Sequence, residues 1–540
     1  MAPVPLAPAV AVHRQWRDCD GRHSMDCPSP RSGDELRPMS LAPMKISERA
    51  GLALRDTSGA QVFKVVGYAG LLLLAVFLCL FAGVASAILP WWFLLAAVIV
   101  PLVALFVWVW PAFGLFIALC FVFGVVPSFL GPRLELGGGS LKAGDIVLVV
   151  TFLVSWSKAL LTGRRWFYLI RPYLVPLGLL SVGFVSSVVY GKLYLHNETA
   201  MAEARNFVAW LVLPTVFAMV RDESGKEWIV RGVIALSLIA AAGVIVQGLT
   251  GTQVMTLGRV AALDLEHSDV TRVSAGGVTY LMAFVLYRAI ARQLSGIGNV
   301  FTTLVIGGPI ALALVLTFGR GVWLTSAFGA LAVMFMIGGL RAATKGVILG
   351  GIVMALALVP LVMFQPQIYD AAFDRLTGTR QEVQSGGSFG WRLKENAAAV
   401  DRIADHPLLG VGMGGEYKRF RSAVGGFDIE RTYIHNGYLF FPLKMGLWAV
   451  IVPLAMIFVV LRRAWGGLQS AKIDSHYKAN IAAAASASLA TYAVSFTQPE
   501  WSTLSSIAAI AFLIAIIELY RSQGVEQGTA TTGNRFAVAR

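Results

Sequence analysis

The segment Tyr433-Ile434-His435-Asn436-Gly437-Tyr438-Leu439 carries a histidine where a polar stretch passes into an apolar helix. An imidazole titrates near neutrality, so it can serve as a base or as an oriented hydrogen-bond partner. The alternative is an interfacial histidine that satisfies a helix end. Ahead of it runs His406-Pro407-Leu408-Leu409-Gly410-Val411-Gly412-Met413-Gly414-Gly415, then Lys418, Arg419 and Arg421. Gly410, Gly412 and Gly415 match the pattern GxGxxG, but no βαβ unit surrounds them, which excludes a dinucleotide fold. The glycines are read as a tight turn whose amides can face an anion. The three cations are read as a solvated basic face, because Asp401, Asp405, Glu416 and Asp428 nearly balance them.

Three arginines add anion-binding capacity. Arg320 sits in Thr317-Phe318-Gly319-Arg320-Gly321-Val322-Trp323, between two apolar runs with almost no loop. Burying an arginine at the centre of a bilayer costs about 2.5–3.5 kcal/mol and less near the interface. A snorkelling anchor is one reading of it. The flanking glycines leave room for a ligand and favour a functional one. Arg272, with Arg259 as the fallback, flanks the loop before the next apolar run. Two solvated loop arginines beside Asp264, Glu266 and Asp269 are an equally good account of that pair. Arg392, Arg419, Asn436 and Glu500 are accessory candidates. No metal site is expected. The acidic run from Asp264 to Asp269 has nothing to enforce ligand geometry, and Cys19, His23 and Cys27 are too few for a closed zinc site.

These residues need elements to hold them. The chain has 540 residues, 57% hydrophobic and only 14% charged, against about 25% charged in soluble domains. Apolar runs near 20 residues predict a polytopic all-α membrane protein, because a chain in hydrocarbon must satisfy its own backbone hydrogen bonds. About 14 spans are expected: 65–89, 91–110, 111–130, 143–161, 172–190, 206–220, 228–249, 273–291, 300–318, 322–340, 346–364, 435–461, 479–496 and 502–520. Residues 1–64 are expected to form a disordered cytoplasmic tail, and residues 521–540 a second tail. Residues 65–364 and 435–520 would form the bundle. The net charge of +14 is assigned to topology and anionic lipid, not to nucleic acid. Basic loops then fall on one side, which predicts cytoplasmic termini and an outward-facing loop over 365–434. In that loop Leu393, Ala397, Val400 and Ala404 recur at helical spacing opposite Lys394, Glu395 and Asp401. This predicts a short amphipathic helix on the membrane surface, ending before Pro407.

The segment His406–Gly415 followed by the His435-Asn436 helix start resembles the O-antigen ligase and polymerase superfamily of envelope glycosyltransferases. Gly319-Arg320-Gly321 before Trp323 and Leu324, and Thr271-Arg272-Val273-Ser274-Ala275-Gly276, resemble two further segments of that family. The resemblance covers roughly Arg272 to Trp501. It implies transfer of a glycan from an undecaprenyl-diphosphate carrier to an acceptor glycan or glycolipid hydroxyl, on the outer face of the bacterial inner membrane. Arg320 and Arg272 would hold the diphosphate, and His435 would orient or deprotonate the acceptor. Cofactors are not expected. Partners would be membrane lipids and a chain-length regulator or export apparatus. The long loop slightly favours a polysaccharide polymerase over a ligase acting on lipid A core. A lipid-linked glycan flippase is a reading from a different class. It is disfavoured because charged mid-span residues and broken helices, frequent in transporters, are not evident.

Overall fold

Long apolar runs become helices, and this computed structural model describes residues 101–537 apart from 128–132, 137–138, 164–166, 221–222, 263–269, 365, 378–387 and 425–426. The predicted first span, the N-terminal tail and the acidic run 264–269 lie outside the described residues. The longer helices in chain order are α1 (Pro111–Val122), α2 (Ala143–Leu161), α3 (Leu174–Val189), α4 (Val212–Met219), α5 (Glu223–Thr250), α6 (Val278–Leu294) and α7 (Val300–Leu316). They continue with α8 (Arg320–Phe364), α9 (Pro366–Thr377), α10 (Ser388–Asp405), α11 (Gly437–Met445), α12 (Ile451–Gln469), α13 (Ser475–Val494) and α14 (Leu504–Ala537).

Among the described residues, six helical segments are long and apolar enough to cross a membrane: 143–161, 167–194, 225–250, 320–348, 447–469 and 504–522. α1 and α7 are shorter apolar helices. A membrane protein follows from these lengths; the expected number of spans does not. The helices α6, α13 and α14 form the buried centre. On α13, alanine and serine dominate and nearly every residue from Ala479 to Val494 is buried, so small side chains let neighbouring backbones approach closely.

Three departures from an uninterrupted helical bundle bear on the site. First, loops carry three two-stranded hairpins: β1 (Arg133–Leu136) with β2 (Gly139–Lys142), β3 (Arg259–Ala262) with β4 (Thr271–Ser274), and β5 (Ser422–Val424) with β6 (Phe427–Ile429). Second, α8 is broken at Gly339, whose φ is 68°, close to the expected break between two spans. Third, the run 435–461, expected as one span, is interrupted at Gly446, φ 95°. The chain there passes from α11 through a 3-10 turn, Leu447–Val450, into α12. Pro407 fills the break, its carbonyl accepting from Leu447 N at 2.7 Å. A broken helix is thus present, contrary to expectation, and Lys444 just before it is fully buried.

The end of the bundle remote from this break is closed by charged side chains. Glu518 on α14 is fully buried and takes Arg463 Nε of α12 at 2.6 Å and the Tyr173 hydroxyl at 2.9 Å. Arg288 Nε on α6 donates to Asn480 Oδ1 on α13 at 2.7 Å. At a rise of about 1.5 Å per residue, Glu518 lies about 21 Å along α14 from Leu504.

Candidate active site at the turn between α13 and α14

The turn over residues 495–506 gathers segments from across the sequence. Gly437 N, at the start of α11, donates to Ser495 O at 2.8 Å. Gly277 N, between β4 and α6, donates to Ser505 Oγ at 3.1 Å. Asn206 Nδ2 donates to Ser502 O at 2.9 Å. Gln498 is shared by the two helix starts that matter most. A Cβ at Gly321 would stand 4.0 Å from its Nε2, and one at Gly437 would stand 3.2 Å from its carbonyl oxygen. The starts of α8 and α11, which bear Arg320 and His435, therefore meet at one end of the bundle.

His435 is held from α10. Its Nδ1 lies 2.6 Å from Glu395 Oε2, and the other carboxylate oxygen takes Lys418 Nζ at 2.7 Å. The Glu395 and Lys418 side chains are 1% and 0% exposed, whereas His435 retains 19%. Burial alone would hold a proton on Glu395. The hydrogen bonds and charges of His435 and Lys418 outweigh it and bring the carboxyl below its ordinary value. With Nδ1 committed to Glu395, chemistry at this ring falls to Nε2.

Tyr433 completes the wall. Its ring meets His435 edge-on at 5.0 Å, and its carbonyl accepts from the Tyr417 hydroxyl at 2.8 Å. Tyr433 keeps 36% of its surface, yet its hydroxyl is desolvated and pushed above its ordinary value, then further by the charges of Glu500 and Glu395. Arg392 and Arg259 act on it in the opposite sense. One phenol thus senses two carboxylates and two guanidiniums drawn from α10, β3 and the 495–506 turn. Glu500 is itself buried, accepts hydrogen bonds from Ser506 and Tyr280, and is raised above the ordinary carboxylate value by desolvation.

Strand register places the other arginines. Arg259 pairs with Ser274 and Ala261 with Arg272. Cross-strand partners share a face and alternate residues along a strand return to it, so Arg259 and Arg272 lie on one face of the β3–β4 hairpin. Val273, on the opposite face, is fully buried. Arg272, Arg320 and Arg392 are half-buried, and Arg259 and Arg419 are exposed.

Not every candidate belongs to this constellation. Asn436 caps α11, its Oδ1 accepting from Tyr438 N at 3.0 Å and Leu439 N at 3.2 Å. Lys418 is not part of a solvated face, although Arg419 and Arg421 are exposed. The amides of the glycine loop are occupied. Val411 N donates to Leu443 O at 2.8 Å, Met413 N to Ser187 O at 3.0 Å, and Gly414 N to the Glu203 carboxylate at 2.5 Å. The anion that Gly414 faces is therefore the protein's own. Gly412 and Gly414 have φ of 72° and 70°, and a Cβ on either would stand within 3 Å of backbone at Gly191 or Ala200.

Helix α10 forms over Ser388–Asp405 and ends before Pro407, as expected. Leu393, Ala397, Val400 and Ala404 point away from the protein, while Glu395, Ala399 and Ile403 are buried. An outward apolar stripe is what a helix on a membrane surface needs, and of the polar residues Lys394, Glu395 and Asp401 only Glu395 turns into the protein. An apolar cavity of about 1040 Å³, lined by Phe106, Trp110, Phe113, Trp228 and Phe512, contains none of the site residues.

Two comparisons bear on this arrangement. No curated protein matches the chain. Residues 303–454, which include Arg320, α10, the glycine loop and His435, match a family model described as O-antigen ligase.

Proposed function

We propose, for a chain whose residues 303–454 make it a member of the O-antigen ligase and polymerase superfamily, that it transfers a glycan from undecaprenyl diphosphate to an acceptor hydroxyl at the outer membrane–water interface. The observation that carries this reading is the pairing of His435, its Nδ1 fixed by Glu395, with Arg259 and Arg392 around Tyr433, and with the start of α8, where Gly321 next to Arg320 lies against the 495–506 turn.

The acceptor oxygen attacks the anomeric carbon of the donor glycan, and its proton passes to His435 Nε2. The bond between that carbon and the phosphate oxygen breaks, and the electron pair leaves with the diphosphate. The negative charge growing there is met by Arg320, Arg272, Arg259 and Arg392, since guanidinium forks bind phosphate oxygens bidentately. Burial raises the Glu500 carboxyl above its ordinary value, which weakens it as an opposing charge. Tyr433, held in its protonated form, can donate to a sugar or phosphate oxygen.

Polymerisation of lipid-linked repeats is favoured over ligation to a final acceptor by the long loop 365–434, and the product is an exopolysaccharide or O-antigen chain. The flippase reading is weakened at the remote end of the bundle, where the buried Glu518 is already paired with Arg463. The test is reconstitution with lipid-linked glycan extracted from a strain lacking this chain. New glycosidic bonds are expected with the native protein and not with His435→Ala or Arg320→Ala. Translocation without new bonds would instead establish a transporter. Single lipid-linked repeats in the deletion strain mark a polymerase; long lipid-linked chains mark a ligase.

A further inference from the structure

We infer that Glu395 and Lys418 are a positioning pair that fixes His435 in the tautomer protonated at Nδ1, leaving the Nε2 lone pair for the acceptor hydroxyl. This rests on the reading of His435 as the base and identifies what makes it one. An ionised carboxylate only accepts hydrogen bonds, so the proton in the 2.6 Å contact between Glu395 Oε2 and His435 Nδ1 belongs to the ring. The bond made by one imidazole nitrogen sets the protonation of the other.

The carboxylate must stay ionised for this to hold, and its surroundings oppose that. Glu395 is 1% exposed, and a buried carboxyl without a countercharge takes up a proton. Lys418 Nζ, at 2.7 Å and fully enclosed, supplies the countercharge. The other polar groups facing Glu395 do not replace it. The Tyr417 and Tyr433 hydroxyls are neutral, and Arg392 stands one turn earlier on the same helix, on the side of Tyr433. Without Lys418 the carboxyl becomes neutral and donates to Nδ1. The ring proton then resides on Nε2, where it blocks deprotonation of the acceptor. Lys418 thus governs the reaction from a position enclosed away from substrate.

The experiment uses the full chain in lipid nanodiscs with 15N-labelled histidine, His435 being identified by its loss in His435→Asn. At about pH 8, where imidazoles are neutral, the native protein should show His435 protonated at Nδ1, and Lys418→Met should move it toward Nε2 protonation. Transfer from extracted lipid-linked glycan should fall about 100-fold in kcat, the scale of a lost general base, with KM within about twofold. It should recover as the pH is raised and Glu395 ionises, which a purely structural defect would not do. Lys418→Arg, which keeps the cation, should preserve tautomer and kcat. Nε2 protonation in the native spectrum, which needs no variant to fold, would overturn the inference, as would an unchanged tautomer in Lys418→Met. The expected tautomers together with an active His435→Ala would leave the positioning pair standing and remove the base reading instead.

Discussion

Glu518 and Glu395 are both buried carboxylates that face cations, and the difference between them separates stability from chemistry. Glu518 is enclosed, with Arg463 across both oxygens, Tyr173 on one and Arg521 at 4.0 Å. Both oxygens of that carboxylate are taken within the cluster. Glu395 spends one oxygen on Lys418 and the other on a histidine whose ring is partly exposed. The first cluster ties α12, α14 and Tyr173 together. The second passes its organisation outward through His435. Placement follows the same division: the saturated cluster lies at the bundle end remote from the 495–506 turn, and the unsaturated one beside it.

Substitutions should break this comparison along the same line. His435→Ala is expected to lower transfer about 10²–10⁴-fold without a change in thermal unfolding measured in detergent. Glu518→Ala is expected to do the reverse, costing about 3–5 kcal/mol because Arg463 is left uncompensated. Its lost activity should track lost folded protein, read by size-exclusion yield and unfolding temperature. If Glu518→Ala proved stable and inactive, the division between the two ends would be wrong. Arg320→Lys should keep the fold and lower transfer about 100-fold, since an ammonium cannot reproduce a bidentate fork.

Smaller effects sharpen it. Gly412→Ala should destabilise by at least about 1–2 kcal/mol, the cost of an L side chain in left-handed backbone, with contact against Gly191 added. Glu500→Gln should retain transfer within a few-fold, because burial disfavours the charged carboxylate there and the amide keeps its shape. The sign of its pH effect is fixed by its raised folded value: the native protein binds a proton that the unfolded chain releases, so stability is greatest at and below the ordinary carboxylate value and declines as pH rises toward the folded one. Unfolding temperature followed upward from about pH 4.5 should show that decline, and Glu500→Gln should flatten it.

The helical membrane architecture was legible because apolar runs in hydrocarbon leave one backbone solution. His435, Arg320 and Arg272 were legible because their local segments carry family-like patterns at the starts of apolar runs. Arg259, weighed as a fallback, proved to share a face with Arg272 through the hairpin register. Glu395 was missed for a physical reason. A helical wheel groups Glu395 with Lys394 and Asp401 on one polar face. On α10 Lys394 and Asp401 stay exposed, while Glu395 turns in to an imidazole and an ammonium. Lys418 was missed because a cation in a balanced loop reads as solvated, and its partner lies 23 residues away. The glycine loop was read as offering its amides to a ligand. Ser187, Leu443 and Glu203, which occupy them, are distant in sequence.

The turn at 495–506 joins pieces encoded up to 296 residues earlier, as the contact from Asn206 to Ser502 illustrates. Synthesis runs from the N-terminus, so Arg259, Arg272, Arg320 and His435 all emerge from the ribosome before the segment that brings them together. The α13–α14 hairpin must therefore be in place before the starts of α6, α8 and α11 can gather around its turn.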